Sequence, residues 1–395
     1  MNRIRLIVVV LFTLGICVPH TEYAYSPTAK QQTASAQIQS RLADKYALEM
    51  VFVLDTTGSM GGLIDGAKQR IWGLVNGVME SPSRPSVRVG LVAYRDRGDA
   101  YVTKVLPLTA DLDQVYSTLM GYLAEGGGDG PENVRRALAD AVHNTGWSPR
   151  APGVAQIIFL VGDAPPHDDY QDEPDTAATT AEAVQAGMIV NTIQCGGQPD
   201  TQLVWQTIAQ HGEGQYFAIA QDGGVQSIAT PYDKRLMELG AKLGSTYVAY
   251  GGGNSIDGVR YREEANAKQV AMETVTVVAG TVSAAADRAV NKALNSEAYA
   301  GDLMTDLENG AVKLNEVKDA DLPDDLKKME PAARKKEIEK RLAERKKLRE
   351  EILKLSKQRD DFIADVRRKQ PDKRKGFDSA VSETLRQQLS RKGIK

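Results

Sequence analysis

Short apolar runs alternate with stretches of helical period from about Leu48 onward. The runs are "LEMVFVLD" (48–55), "VRVGLVAYRD" (87–96), "AQIIFLVGDA" (155–164), "MIVNTIQC" (188–195) and "GQYFAIAQ" (214–221). Between them lie "GGLIDGAKQRIWGLVNGVME", "DLDQVYSTLMGYL", "PENVRRALADAVHNT", "AATTAEAVQAG" and "TQLVWQTIAQHG", whose apolar residues recur at helical spacing. Runs such as Ile157 to Val161 lack polar alternation, which suits strands covered on both faces. Strand, helix, strand order of this kind predicts a doubly wound α/β fold with a mainly parallel sheet. "YVTKVLPLT" (101–109) follows the second run after a short turn and predicts an antiparallel edge strand. This unit is placed at residues 46–250.

Beyond about Gly251 the pattern becomes helical. "GVRYREEANAKQVAMETVTVVAGTVSAAADRAVNKALN" is rich in alanine and other helix formers, and Glu273 within its least polar part favours a packing helix over a membrane span. From Lys327 to Lys375 basic residues are about twice as numerous as acidic ones. Leu348, Ile352, Leu355, Phe362 and Val366 fall on an approximate heptad seam that Arg359 interrupts, so a coiled coil is expected over 326–370 of a helical region at 251–395. Helices of this kind offer a surface for self-association.

The first twenty-four residues begin basic and carry an apolar run, Leu6 to Val18, that is short for a membrane span. They read as an export signal or, lacking a clean small-x-small cleavage site, as an N-terminal anchor, the one route to membrane attachment. The expected location is the periplasm, cell envelope or extracellular space. Residues 25–45 are polar and read as a flexible linker. The chain has 395 residues and a net charge of −3, which gives it no bulk attraction to nucleic acid. Cys195 ends an apolar run and reads as a buried core thiol.

In an open parallel sheet, chemistry is sought in the loops after the carboxyl ends of strands. Asp55 follows "VFVL", Asp163 follows "IIFLVG", and Asp129 lies in the glycine cluster "AEGGGDGPEN" before a helix that Pro131 is placed to start. Asp55, Thr57 and Ser59 alternate in a turn, so their oxygens can converge on one point, and hard oxygen donors suit magnesium. The competing reading of Asp55 and Ser59 is helix capping. Arg97, Gly98 and Asp99 spell an adhesion tripeptide where a hairpin turn already explains the Gly and Asp. His167, Asp168, Asp169, Asp172, Glu173 and Asp175 form an acidic loop, read as solvated, as a rim repelling anions or as a secondary calcium site. His143 and His211 lack partners in sequence.

"DTTGSM" resembles the first loop of a von Willebrand factor type A domain, whose metal-ion-dependent adhesion site uses Asp-x-Ser-x-Ser; Thr57 replaces the middle serine. "FLVGDAPPH" resembles the loop supplying that family's later aspartate, here Asp163. With "GLVAYRDRGD" and "GGGDGPE" the resemblance covers about residues 46 to 225, closest to the hemicentin-like and bacterial exported branches. It implies a non-catalytic module in which Mg2+, or Ca2+ or Mn2+, held by Asp55, Thr57, Ser59 and Asp163, presents an open position to a carboxylate of a partner protein. The family's second loop usually supplies a threonine; here Gly128, Asp129 and Gly130 stand there, so Asp129 is the candidate replacement, directly or through water. A haloacid dehalogenase-type phosphatase is the alternative enzyme reading, since Gly162, Asp163 and Asp168 imitate its later motif. Thr57 stands where that enzyme needs an acid, and the required general acid is missing. A third reading makes the chain an assembly protein acting through its helical region.

Overall fold

A computed structural model of the protein describes residues 46–80, 85–128, 130–220, 228–278, 281–295, 301–369 and 377–394. The leader at 1–24, the linker at 25–45 and Asp129 lie outside these residues. Six strands form one sheet among the described residues: β1 (Ala47–Asp55), β2 (Ser86–Tyr94), β3 (Thr103–Thr109), β4 (Val154–Gly162), β5 (Ile189–Cys195) and β6 (Glu213–Ile219). Their order is β3-β2-β1-β4-β5-β6, with every neighbour pair parallel except β2–β3. The antiparallel strand at the edge matches the sequence expectation, and Pro107 is tolerated there because an edge strand can spare one donor.

Helices α1 (Gly61–Met79) and α2 (Leu112–Met120) cover one face, and α3 (Val134–His143), α4 (Thr176–Ala186) and α5 (Pro199–His211) the other. Side chains along β1 divide by twos. Leu48, Met50, Phe52 and Leu54 enter the first core with Trp72 and Tyr116, while Val51 and Val53 enter the second with Leu138 and Trp205. Both faces being buried explains the unbroken apolar runs. Cys195 is fully buried.

The rest of the chain forms α6 (Asp233–Gly244), α7 (Ile256–Val278), α8 (Val282–Leu294), α9 (Leu303–Glu308), α10 (Asp324–Lys327), α11 (Pro331–Lys369) and α12 (Phe377–Arg391). Leu236, Leu239 and Leu243 of α6 pack with Ala286 and Val290 of α8 and Ile352 of α11. Along α11 the buried stripe runs Arg334, Ile338, Arg345, Arg349, Ile352, Ser356 and Arg359. Arg359, which breaks the apolar seam in sequence, is 6% exposed, its Nε 2.6 Å from Asp233 Oδ1 and its Nη2 donating to Ser283 Oγ at 3.0 Å. Arg345 meets Asp302 at 2.6 Å in the same manner. The stripe therefore packs within the chain as alternating apolar and ion-paired contacts. No helix among the described residues is long and apolar enough to cross a membrane.

The last helix returns to the sheet. Leu385, Leu389 and Ile394 join the core shared by β1, α1 and α2. Gln388 and Asn191 of β5 exchange amide hydrogen bonds at 2.8 and 3.2 Å, and Thr384 Oγ1 donates to Gln215 at 2.8 Å. The sheet layer thus draws its final helix from residues well beyond 250.

Candidate metal cup at the sheet's switch point

β1 is flanked by β2 on one side and β4 on the other, so the sheet's direction of winding reverses between β1 and β4. Loops diverge there and leave a crevice at the carboxyl ends. Asp55 closes β1 opposite Tyr94, and Asp163 follows Gly162, the last residue of β4. Pairing of Leu54 with Val161 brings the two acids to adjacent strand ends.

Asp55 is fully buried. Its Oδ1 accepts from the backbone N–H of Thr57 at 2.9 Å and from Thr57 Oγ1 at 2.7 Å, which bends the chain and turns the hydroxyls inward. Thr57 Oγ1 and Ser59 Oγ are 3.3 Å apart. Thr57 and Met60, at the cap positions of the following 3-10 turn and α1, make no side-chain cap bond. Asp163 is half-buried, and its carbonyl accepts from Thr201 Oγ1 at 3.0 Å. Asp55, Thr57, Ser59 and Asp163 are thus brought to one crevice.

The glycine loop closes the cup from the side. Glu125 N donates to Thr56 O, and Gly58 N to Gly126 O, both at 3.1 Å. Gly126 and Gly127 take φ near +79°, and a Cβ on Gly126 would lie 2.3 Å from Asp99 Oδ1. Asp99 Oδ2 accepts from Gly127 N at 3.0 Å and from Asp96 N at 3.2 Å. The adhesion-like tripeptide is therefore consumed as a brace: Arg97 lies over the Tyr170 ring and pairs with Asp172 and Glu173 at 2.8 and 2.7 Å. The acidic loop is correspondingly built, not merely solvated. Glu173 is buried, Asp175 caps α4, and His167 stacks on Tyr170 between Asp96 and Asp169.

Glu132 is the residue that sequence reasoning missed. Its backbone clips the second loop to the third, donating to Pro165 O at 3.0 Å and accepting from His167 N at 3.2 Å. Its side chain is 3% exposed, and one point, an ideal Cβ on Gly127, lies 3.2 Å from both Glu132 Oε1 and Thr57 Cβ. The only sequence signal was its place after Pro131, where a helix-starting acid explains it equally well.

Buried oxygens of this cup lack partners. Asp55 Oδ2, Glu132 Oε2 and Asp96 Oδ1 have no hydrogen bond. Burial, and then the charge of Asp163, pushes Asp55 up to about 7 against the opposing Thr57 donors and the Asp163 backbone N–H. Burial, followed by Asp55, Asp96, Asp99 and Asp163, pushes Glu132 up to about 9. Carboxylates so placed call for positive charge, and an all-oxygen donor set fits a hard divalent ion. Among the described residues no three of Asp, Glu, His and Cys gather at metal-ligand spacing, so the fitting set is two acids, Asp55 and Asp163, with two hydroxyls, Thr57 and Ser59. Space is tight beside it: a Cβ on Gly162 would lie 3.1 Å from Asp55 Oδ2 and 2.3 Å from the Tyr94 hydroxyl.

Comparison with known proteins bears on the same region. A family profile described as von Willebrand factor A domain matches residues 49–231. The human protein "von Willebrand factor A domain-containing protein 7" is 29% identical over 227 residues, covering 55% of this chain and 24% of the relative. Its mouse counterpart is 33% identical over 175 residues, 39% of this chain and 18% of the relative. The chain thus spans about a quarter or less of the length of these relatives. The solved VWA domain of SpRpn10 aligns with 45% of this chain and 89% of its own at a TM-score of 0.33 and 14% identity. The profile runs from within β1 through β6, with both acid-bearing strand ends inside it, so residues 49–231 are the part of the chain that matches the von Willebrand factor A domain family.

Proposed function

We propose that this domain is a non-catalytic, divalent-cation-dependent protein-binding module of an exported protein, of the hemicentin-like or bacterial exported type. The observation that carries the reading is the fully buried Asp55, whose Oδ1 holds Thr57 while Oδ2 has no partner. Asp55 and Asp163 would supply charge, and Thr57 and Ser59 geometry, for Mg2+, or Ca2+ or Mn2+. A bound ion would offer Lewis acidity at an open coordination position. The chain's own contribution is to hold four oxygens at adjacent strand ends and to brace them through Asp99 and the glycine loop.

The phosphatase alternative is not favoured. Thr57, two positions after Asp55, spends its hydroxyl on the Asp55 carboxylate and offers no acidic proton for a leaving group. The test is calorimetry and thermal melting of the full chain with millimolar Mg2+, Mn2+ and Ca2+, for wild type and Asp55→Asn. Stabilisation that appears only in the wild type is expected. Identical melts with and without each ion in both proteins would remove the proposal.

A further inference from the structure

The carboxyl end of β2 carries a second feature beside the cup, of opposite sign. Arg95 follows Tyr94, the residue paired with Asp55, and is 4% exposed. Its guanidinium lies over the Tyr101 ring, 4.6 Å from the centroid, and its Nη2 donates to Leu123 O at 2.8 Å, while Nε has no partner. Lys104, exposed on β3, sets its Nζ 4.2 Å from the centroid of the same ring. The Tyr101 hydroxyl and Thr56 Oγ1 are 2.7 Å apart, so one aromatic side chain ties both cations to the loop that carries Thr57 and Ser59.

Little on the protein offsets this charge. The one carboxylate that reaches Arg95 among the described residues is Glu125, at 3.6 Å and with a side chain 63% exposed, and a solvent-facing contact of that length is worth little. Asp96 turns instead to the Tyr170 hydroxyl at 2.8 Å, and Asp99 to Gly127 N at 3.0 Å. Lys104 forms no ion pair among the described residues. Two cations against one solvent-facing acid leave this flank positive, and the packing around Arg95 weakens the screening of its charge.

Building on the cation-holding cup proposed above, we infer that the flank formed by Arg95, Tyr101 and Lys104 receives a second carboxylate of the partner segment whose first carboxylate completes the cation's shell. The occupant is thus an acidic protein segment with two carboxylates on one face. Side chains of an extended segment return to the same face every second residue, about 6.5–7 Å apart, so acids separated by one residue can address cup and flank together. Lys104 meets the second carboxylate directly. Arg95 adds its charge through the place that the Glu125 carboxylate gives up to it.

The experiment uses the full chain and three labelled synthetic peptides, X-Ala-Asp-Ala-X, with X as Glu, Gln or Lys. Fluorescence anisotropy is read with saturating Mg2+ and with chelator, on wild type, Lys104→Gln, Lys104→Glu, Glu125→Gln and Asp55→Asn, each checked for fold by circular dichroism. Lys104 and Glu125 are exposed, so their replacement leaves the core untouched. Wild type is expected to bind the Glu peptide about fivefold tighter than the Gln peptide, and the Lys peptide weakest. The advantage of Glu over Gln is expected to fall about twofold or more in Lys104→Gln, to fall further in Lys104→Glu and to grow in Glu125→Gln. Equal or weaker binding of the Glu peptide by wild type overturns the inference, as does an advantage unchanged in both Lys104 variants, one that does not grow in Glu125→Gln, or no binding by any peptide. The two proposals separate cleanly. An advantage that survives chelator and Asp55→Asn removes the cation reading and keeps this one; Mg2+-dependent binding with no preference between Glu and Gln does the reverse.

Discussion

Arg288 offers the sharpest test of how the helical layer is locked to the sheet. It is 2% exposed and grips Asp113 of α2 with two bonds, Nε to Oδ1 at 2.7 Å and Nη2 to Oδ2 at 2.6 Å. Its Nη1 reaches Glu273 Oε2 of α7 at 3.2 Å, and Lys292 of α8 also pairs with Glu273. Two acids thus face two bases across three helices. Replacing Arg288 by leucine removes the direct ion-pair partner of Asp113, 7% exposed at the packed surface, a change that costs about 3–5 kcal/mol for a buried pair. Asp113→Leu alone leaves Arg288 and Lys292 sharing Glu273, so Arg288 keeps a partner and the cost is expected to be smaller, about 1–3 kcal/mol. The double variant removes both charges and should recover most of the loss, giving a coupling of at least about 2 kcal/mol in the cycle. Urea unfolding followed by far-UV circular dichroism measures all four proteins. Burial alone would push Asp113 up, but Arg288 and then Lys292 hold it below its usual value. Its contribution is therefore complete above the unfolded carboxyl pKa near 4 and is lost as pH falls through the lower folded value. The coupling should fade accordingly in acid. A cycle that closes to within about 0.5 kcal/mol at neutral pH would refute the claim that this network joins the layers.

Gly162→Ala should destabilise the fold by about 1–3 kcal/mol and weaken cation-dependent stabilisation, because its methyl meets the Tyr94 hydroxyl and Asp55; Gly128→Ala, with nothing within 4 Å, should melt like wild type. Leu389→Ala should cost about 2–5 kcal/mol by opening the sheet core, read as a fall in urea midpoint, whereas a surface-like cost below about 0.5 kcal/mol would show that α12 does not seal the sheet. Burial, and then Arg288, depresses Lys292 from 10.5 to about 8, so the unfolded chain binds more protons between those values and stability should rise as pH increases through that window. Lys292→Met should flatten the rise in a melting series from pH 7 to 10.5.

Much of the sheet layer was legible in local pattern. Strands buried on both faces are largely apolar, so the runs 50–54 and 157–161 announce themselves, and a parallel sheet places Asp55 and Asp163 at its carboxyl end whatever the details of packing. The edge strand at 103–109 was visible for a similar reason: it follows its neighbour after a short turn. Glu132 was not visible, because its role depends on a backbone clip between two loops some thirty residues apart, and a helix-starting acid looks the same in either setting. The return of α12 was equally hidden. Gln388 meets Asn191 across 197 positions, and an amphipathic terminal helix carries no local mark of the surface that will receive it. Arg359 looked like a fault in an apolar seam and is an ion-paired core position, since only the packed helices bring Asp233 and Asp287 to it. Sequence by itself determined the elements, the sheet class and the placing of Asp55 and Asp163 at the carboxyl ends of adjacent strands, which follow from short-range periodicity and chain direction. Tertiary structure alone decided which distant acids share the crevice, which helix closes the sheet and which charges are neutralised, because burial and Coulomb pairing depend on distance in space and not along the chain.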